Sequence, residues 1–138
     1  GLQVEPLRLL HGRLPILGFR FGTDATSPHL PLAWCTDVSS IPPESWTRLT
    51  GLQTLFLDML RERHHPTHFN LDQAIKAART IDAGQTWFIH MAHEIGHAAT
   101  EATLPEGIRL AWDGLRLASD GAEPTLDPPG EAARTPSC

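Results

Sequence analysis

The sequence has little cysteine and no long apolar run, and each shortage excludes a class of protein. Its two cysteines, Cys35 and Cys138, do not form the framework of a disulfide-rich secreted scaffold, so we expect a reducing compartment. No apolar run reaches the roughly 18 to 20 residues of a membrane span, and no basic and then apolar leader opens the chain. We therefore expect a cytoplasmic protein without a membrane segment.

Positive charge is also scarce, because 11 Lys and Arg residues stand against 16 Asp and Glu residues, a formal net charge of −5. The basic residues are scattered, so we expect no extended nucleic-acid surface, although a small phosphate-ester substrate is allowed. The hydrophobic share of 41% is typical of a globular domain. Residues 119–138 are rich in Pro, Gly and acid, which predicts a disordered tail after one folded domain at 1–118.

Apolar patterns along the chain predict alternating strands and helices. Strands are predicted at 4–12, 16–22, 31–38, 52–60 and 85–92, and helices at 44–51, 71–81 and 97–104. Asn70 is the predicted N-cap of the longest helix. Residues 107–118 predict a hairpin that turns at Asp113 and Gly114.

Histidine is the residue in excess, and it is clustered. Six of the eight histidines fall in two short groups, and these are His64, His65 and His68, then His90, His93 and His97. Neutral imidazole is a metal ligand, and its pKa near neutrality suits acid-base chemistry. The clusters therefore indicate metal or proton-transfer chemistry, although His64 and His65 alone are typical of a solvated loop.

Several segments occur in an order that resembles the metallo-β-lactamase superfamily. In sequence they are PLRLLHGRLPILGFRF, CTDVSSIP, HPTHFNLDQAI, FIHMAH and GIRLAWDGLRL. The resemblance spans residues 4–117 and is strongest to the branch of phosphoribosyl cyclic phosphodiesterases. It implies an α/β fold, namely the C-terminal half of an αβ/βα sandwich with a mixed sheet and helices on one face.

The resemblance also implies roles for five residues. His11, Asp37 and His90 would be metal ligands, with Asp37 shared between two divalent cations, Zn²⁺ or Mn²⁺. Water activated by the metals would attack phosphorus, as in other binuclear hydrolases. His68 would contact the substrate phosphate or protonate the leaving group, and His93 would lie at the edge of the site.

One motif of the family is missing from these residues. The HxHxDH ligands expected before His11 do not occur, and the chain begins with Gly instead of Met. We therefore expect a fragment or half-domain with a partial metal site that is inactive alone. Its partner would be the missing N-terminal half or a second copy, which would cover an exposed apolar face.

Two other interpretations remain open. HEIGH at 93–97 matches the HExxH motif of zinc metalloproteases, in which two histidines on a helix bind zinc and the glutamate activates water. The strand pattern before it and Gly96 within it disfavour that helix. The other alternative is a non-catalytic half-domain that serves as an interaction module, with Asp37 only a turn residue.

Overall fold

The computed structural model describes residues 1–23, 27–118, 120, 122 and 124. Its strands are β1 (Leu2–His11), β2 (Leu14–Thr23), β3 (Leu32–Cys35), β4 (Thr54–Asp58), β5 (Gln85–Ile89) and β6 (Ile108–Leu110). Its helices are α1 (Pro43–Trp46), which continues into a 3₁₀ turn at Thr47–Leu49, α2 (Leu71–Ile81) and α3 (His97–Glu101). The disordered tail predicted at 119–138, with Cys138, lies outside the described residues apart from 120, 122 and 124.

The strands form one mixed sheet whose spatial order is also their order in the chain, β1 to β6. β1 and β2 form a long antiparallel hairpin, and β2 pairs antiparallel with β3. From β3 to β6 every pairing is parallel, with α2 and α3 in the connections. Every residue of β4 is buried, as expected for a central strand with a parallel neighbour on each side. The mixed α/β architecture predicted from the sequence is confirmed.

The start and end of helix α2 agree with those predicted from the sequence. The Asn70 side chain accepts a hydrogen bond from the Gln73 backbone N–H, and the Gln73 side chain accepts one from the Asn70 backbone N–H. This capping box fixes the start of the helix. The helix ends at Asp82, whose backbone is left-handed. Because the Asn70 cap directly follows Phe69 and His68, it also fixes the end of the loop that carries His68.

The two faces of the sheet have different surroundings. The strand side chains buried on the first face are Leu7, Leu9, Ala33, Cys35, Leu55, Leu57, Phe88, Ile108 and Leu110. Helix α2 adds Ala74, Ala77, Ala78 and Ile81 to the same cluster. The predicted arrangement, with helices on one face of the sheet, is therefore observed.

The second face of the sheet carries exposed apolar side chains. Residues paired across β1, β2 and β3 place Val4, Leu17, Phe19 and Trp34 on this face, which we call the open face. All four are exposed, and Trp34 retains 41% of its surface. The Trp34 ring packs at 4.8 Å on that of Phe56. The open face thus presents exposed apolar side chains from β1, β2 and β3.

One local prediction is wrong. The segment 107–118 is not a hairpin, because β6 pairs in parallel with β5 and residues 111–118 form no strand. Only the predicted turn at Asp113 and Gly114 is present. The helix that HEIGH would need at 93–97 is absent, as the strand pattern before it and Gly96 indicate, since His93 and Glu94 lie in a turn and α3 begins only at His97.

The longest helix among these residues is α2, with 11 residues. It is too short and too polar to cross a bilayer, and the same holds for every other helix in the described part of the chain.

Candidate metal centre

Polar side chains collect where four strands end at the same edge of the sheet. His11 is the last residue of β1, Asp58 is the last of β4, and His90 directly follows β5. Asp37 comes two residues after β3. Because β1 runs in the same direction as β3, β4 and β5, their carboxyl ends lie together. This edge is the usual position of sites in sheets with parallel strands.

Asp37 and His90 meet at the centre of this edge. Nε2 of His90 lies 3.1 Å from Oδ1 of Asp37. Both residues have left-handed backbones, with φ of 55° for Asp37 and 64° for His90. A residue with a β-carbon pays for that conformation, and such strain is concentrated at functional sites. The backbone therefore turns sharply after β3 and after β5 to bring these two side chains together.

Asp58 lies beneath them and is fully buried, at 0% exposure. Its Oδ2 accepts hydrogen bonds from the Val38 backbone N–H at 2.7 Å and from His68 Nδ1 at 2.7 Å. Its Oδ1 has no hydrogen-bond partner among the described residues. Burial raises the pKa of the Asp58 carboxyl, and the hydrogen bond from His68 opposes that rise. An unpartnered buried carboxylate oxygen is costly, so it indicates a site whose full set of groups is not all in place.

The rings of three histidines pack against each other. His68 is 8% exposed and stacks on His90, with ring centroids 4.7 Å apart and planes 14° apart. The His11 ring meets His68 edge-on, also at 4.7 Å. Since Nδ1 of His68 is held by Asp58, Nε2 is the ring atom left for a ligand or substrate.

His11 has the arrangement usual for a metal-binding histidine. Its Nδ1 lies 3.0 Å from the main-chain oxygen of Asp37, to which only an Nδ1–H can donate. That bond fixes the tautomer and leaves the Nε2 lone pair for a cation. The same contact ties the end of β1 to the loop that carries Asp37.

These residues fit a divalent cation. Asp37, Asp58, His68 and His90 each offer a ligand atom, and these atoms all lie within 4.8 Å of one another. Imidazole and carboxylate together are the donors that Zn²⁺ and Mn²⁺ accept. The unpartnered Oδ1 of Asp58 and the strained backbones of Asp37 and His90 support the same conclusion.

Asp58 is a site residue that was not predicted from the sequence. Asp58 ends an apolar run, TLFLD, and a carboxylate at the end of an otherwise buried strand was the available signal. His65 was also assigned to solvent, yet it is half-buried with its ring centroid 5.1 Å from that of His68.

The structure does not bring His93 into the group. His93 is exposed in a turn, and His97 is exposed at the start of α3, where Nε2 lies 3.2 Å from the Ala111 carbonyl oxygen. Glu94 is paired with Arg63 at 3.0 Å and with Arg61 at 3.7 Å. A zinc protease needs both histidines on one helical face and a glutamate facing water, so that interpretation of HEIGH is wrong.

Comparisons with known proteins agree with this fold. The family model described as the beta-lactamase superfamily domain matches residues 1–91. A diphosphatase from the PhnP family, known by its crystal structure, is 43% identical, with a TM-score of 0.76 over 83% of this chain and 42% of its own. An octanoyltransferase of Porphyromonas gingivalis is 36% identical over 121 residues, which are 86% of this chain and 23% of that protein.

Two more distant structures share the fold alone. Human tRNase Z, short form, has 16% identity and a TM-score of 0.62, over 81% of this chain and 40% of its own. Zn²⁺-bound PqqB from Methylobacterium extorquens has 16% identity and a TM-score of 0.61, over 83% of this chain and 50% of its own. The chain therefore spans half or less of each of these relatives. With the family model matching most of its length, the chain belongs to the β-lactamase superfamily domain family and has the metallo-β-lactamase fold.

Proposed function

We propose that this chain supplies part of the active centre of a metal-dependent hydrolase that cleaves a phosphate ester, most specifically a phosphodiester. The observation that carries the proposal is the meeting of Asp37 and His90 at 3.1 Å, both in strained backbone conformations, beside the buried Asp58 and His68 pair. The 43% identity to a diphosphatase supports a phosphorus-centred reaction over other hydrolyses.

Each residue has a chemical role in this proposal. His11, Asp37 and His90 hold two divalent cations, Zn²⁺ or Mn²⁺, together with ligands from outside these residues. When bound, such cations lower the pKa of water and stabilise negative charge on phosphoryl oxygens. His68 gives a proton to the departing oxygen through Nε2. His93 stays a prediction, as a group at the rim of the site.

The open face indicates where the remaining ligands of the metal centre come from. We infer that a second αβ layer covers Val4, Leu17, Phe19 and Trp34 and brings further ligands to the exposed side of Asp37 and His90. An apolar patch of this kind is unfavourable in water, and it adjoins the site at the end of β3. The layer is the remaining part of a fold such as that of the diphosphatase, of which this chain matches 42%, or a second copy of the chain.

Acyl transfer is not favoured for these residues. A cysteine nucleophile needs an accessible thiolate, whereas Cys35 is fully buried and burial raises its pKa to about 12. The octanoyltransferase relative is matched over 23% of its length, so the remaining 77% of that protein lies outside the match.

The test is metal content and hydrolysis of bis(p-nitrophenyl) phosphate, measured on this chain and on the complete gene product. We expect the complete product to bind metal and to hydrolyse the diester, and His90→Ala to remove both properties. His64→Ala, at an exposed histidine of the neighbouring loop, is the matched control and should change neither. Absence of metal, or full activity in His90→Ala, would contradict the proposal and favour a non-catalytic interaction module.

A further inference from the structure

Asp58 is the one charged side chain in the described residues that is completely buried, and it is the last residue of the central strand β4. Taking a carboxylate out of water is costly unless several donors address it. The donors around Asp58 therefore indicate the function of this carboxylate.

Asp58 holds one imidazole by a hydrogen bond, and a second imidazole lies close to it. Nδ1 of His68 lies 2.7 Å from Oδ2, whereas Nδ1 of His90 lies 3.9 Å from Oδ1, beyond hydrogen-bond distance. The rings of His68 and His90 are stacked almost parallel. Nε2 of His90 faces Oδ1 of Asp37 at 3.1 Å.

We propose that Asp58 is a positioning residue that holds His68 with a proton on Nδ1, so that His68 presents Nε2 to the reaction. The inference rests on the proposed function, because it assigns that Nε2 to the leaving group. A carboxylate behind a histidine fixes its tautomer and strengthens its basicity.

Asp58 could instead be a metal ligand, since it belongs to the group of four close donors. Its hydrogen bonds argue for the positioning role. Oδ2 already accepts two bonds, from Val38 and His68, and the side chain has no exposed surface. The exposed donors of the group are instead Asp37 and His90.

The role of His68 in the reaction then follows atom by atom. The oxygen of water forms a bond to phosphorus and gives up one of its protons to solvent. The bond from phosphorus to the leaving oxygen breaks, and its electron pair stays on that oxygen. The leaving oxygen takes the proton from Nε2 of the doubly protonated His68, which becomes neutral and keeps Nδ1–H on Asp58. Solvent water then returns a proton to Nε2.

This role makes the effect of Asp58 depend on the leaving group. p-Nitrophenolate departs without a proton, whereas an alkoxide needs one. A group that positions the general acid therefore affects alkyl substrates far more than nitrophenyl substrates. A residue that only stabilises the fold, or only binds metal, affects both equally.

The experiment compares Asp58→Asn with the unmodified complete gene product, both loaded with Zn²⁺ or Mn²⁺. The substrates are bis(p-nitrophenyl) phosphate and glyceryl cyclic phosphate, which has an alkoxide leaving group. We expect kcat/KM to fall about 100-fold for the cyclic ester, the scale of general acid catalysis, and only a few-fold for the nitrophenyl ester. Asp72→Asn, at an exposed carboxylate in the first turn of α2, is the matched control and should change neither.

Equal losses for both substrates with normal metal content would overturn the proposal in favour of a structural role. Loss of metal from Asp58→Asn would overturn it in favour of direct ligation. A second measurement needs no variant: nitrogen-15 NMR of the metal-loaded protein should show Nδ1–H on His68. A neutral His68 with its proton on Nε2 and none on Nδ1 also contradicts the proposal. If the unmodified protein binds no metal or hydrolyses neither ester, the proposed function itself fails.

Discussion

His90 and Asp37 face each other across 3.1 Å, and each reaches that position through a left-handed backbone. Neither residue is glycine, so the site is held together against a local conformational cost of about 1 kcal/mol or more per residue. The backbone conformations of Asp37 and His90 therefore favour ligand binding and lower the stability of the folded chain.

Substitution of His90 by glycine separates the effect of backbone strain on stability from the effect of losing the imidazole on metal binding. We expect His90→Gly to be about 1 kcal/mol more stable than His90→Ala in the absence of metal, because glycine accepts the φ of 64°. Both variants should lose any rise in melting temperature that Zn²⁺ gives the unmodified protein. Thermal unfolding with and without Zn²⁺ measures both effects, and equal stability of the two variants would contradict the strain.

Gly18 allows close packing of β2 between its neighbours. A β-carbon there would lie 2.7 Å from Cδ1 of Leu9 and 2.9 Å from the main-chain oxygen of Trp34. Because backbone cannot move aside cheaply, Gly18→Ala should lower the free energy of unfolding by about 1 to 3 kcal/mol in urea denaturation. Gly22→Ala on the same strand is the control, since nothing lies within 4 Å of its added carbon. Similar losses in the two variants would refute this account.

Burial of Cys35 predicts how the free energy of unfolding depends on pH. Burial raises the pKa of its thiol from 9.0 to about 12, so the unfolded chain releases this proton at a lower pH than the folded chain does. The contribution of Cys35 to stability is therefore complete below pH 9 and is lost as pH rises towards 12. Cys35→Ala should flatten the fall in unfolding free energy over this range.

The same burial should protect the thiol from reagents. In a Cys138→Ser background, iodoacetamide should leave Cys35 unmodified at pH 8 and should react after denaturation in urea. Rapid labelling of the folded protein would show that the thiol is accessible.

The open face predicts association. Replacing Phe19 and Trp34 by lysine should reduce self-association or binding of the covering layer, measured by analytical ultracentrifugation, because charge opposes burial of this patch. Leu14→Lys is the control, since Leu14 is 64% exposed but lies outside the open face. An unchanged mass in the double variant and a changed mass in the control would place the interface elsewhere.

Local signals in the sequence predicted the local structure well. The start of α2 at Asn70 depends on bonds within four residues, and burial of β4 follows from an unbroken apolar run. The wrong hairpin at 107–118 has the opposite cause: its turn residues are genuine, but pairing with β5 is a distant interaction that the segment does not encode.

The candidate site was predictable only in part, for the same reason. The resemblance pointed to His11, Asp37 and His90, and the structure brings them to one edge of the sheet. Asp58 was missed because its importance depends on the approach of Val38, His68 and His90, which no short stretch of sequence contains. HEIGH matches the protease motif by spacing alone, and the strand pattern before it and Gly96 correctly disfavoured the helix that its chemistry requires.

The order of the strands in the sheet sets the order in which the site residues come together during synthesis. Since neighbours in the sheet are also neighbours in the chain, synthesis from the N-terminus adds one group at a time to the same edge: His11, then Asp37, Asp58, His68 and finally His90. Each addition docks on a strand already present, which keeps the loops to be closed short and favours fast folding. The edge can thus be assembled during translation as soon as β5 has left the ribosome.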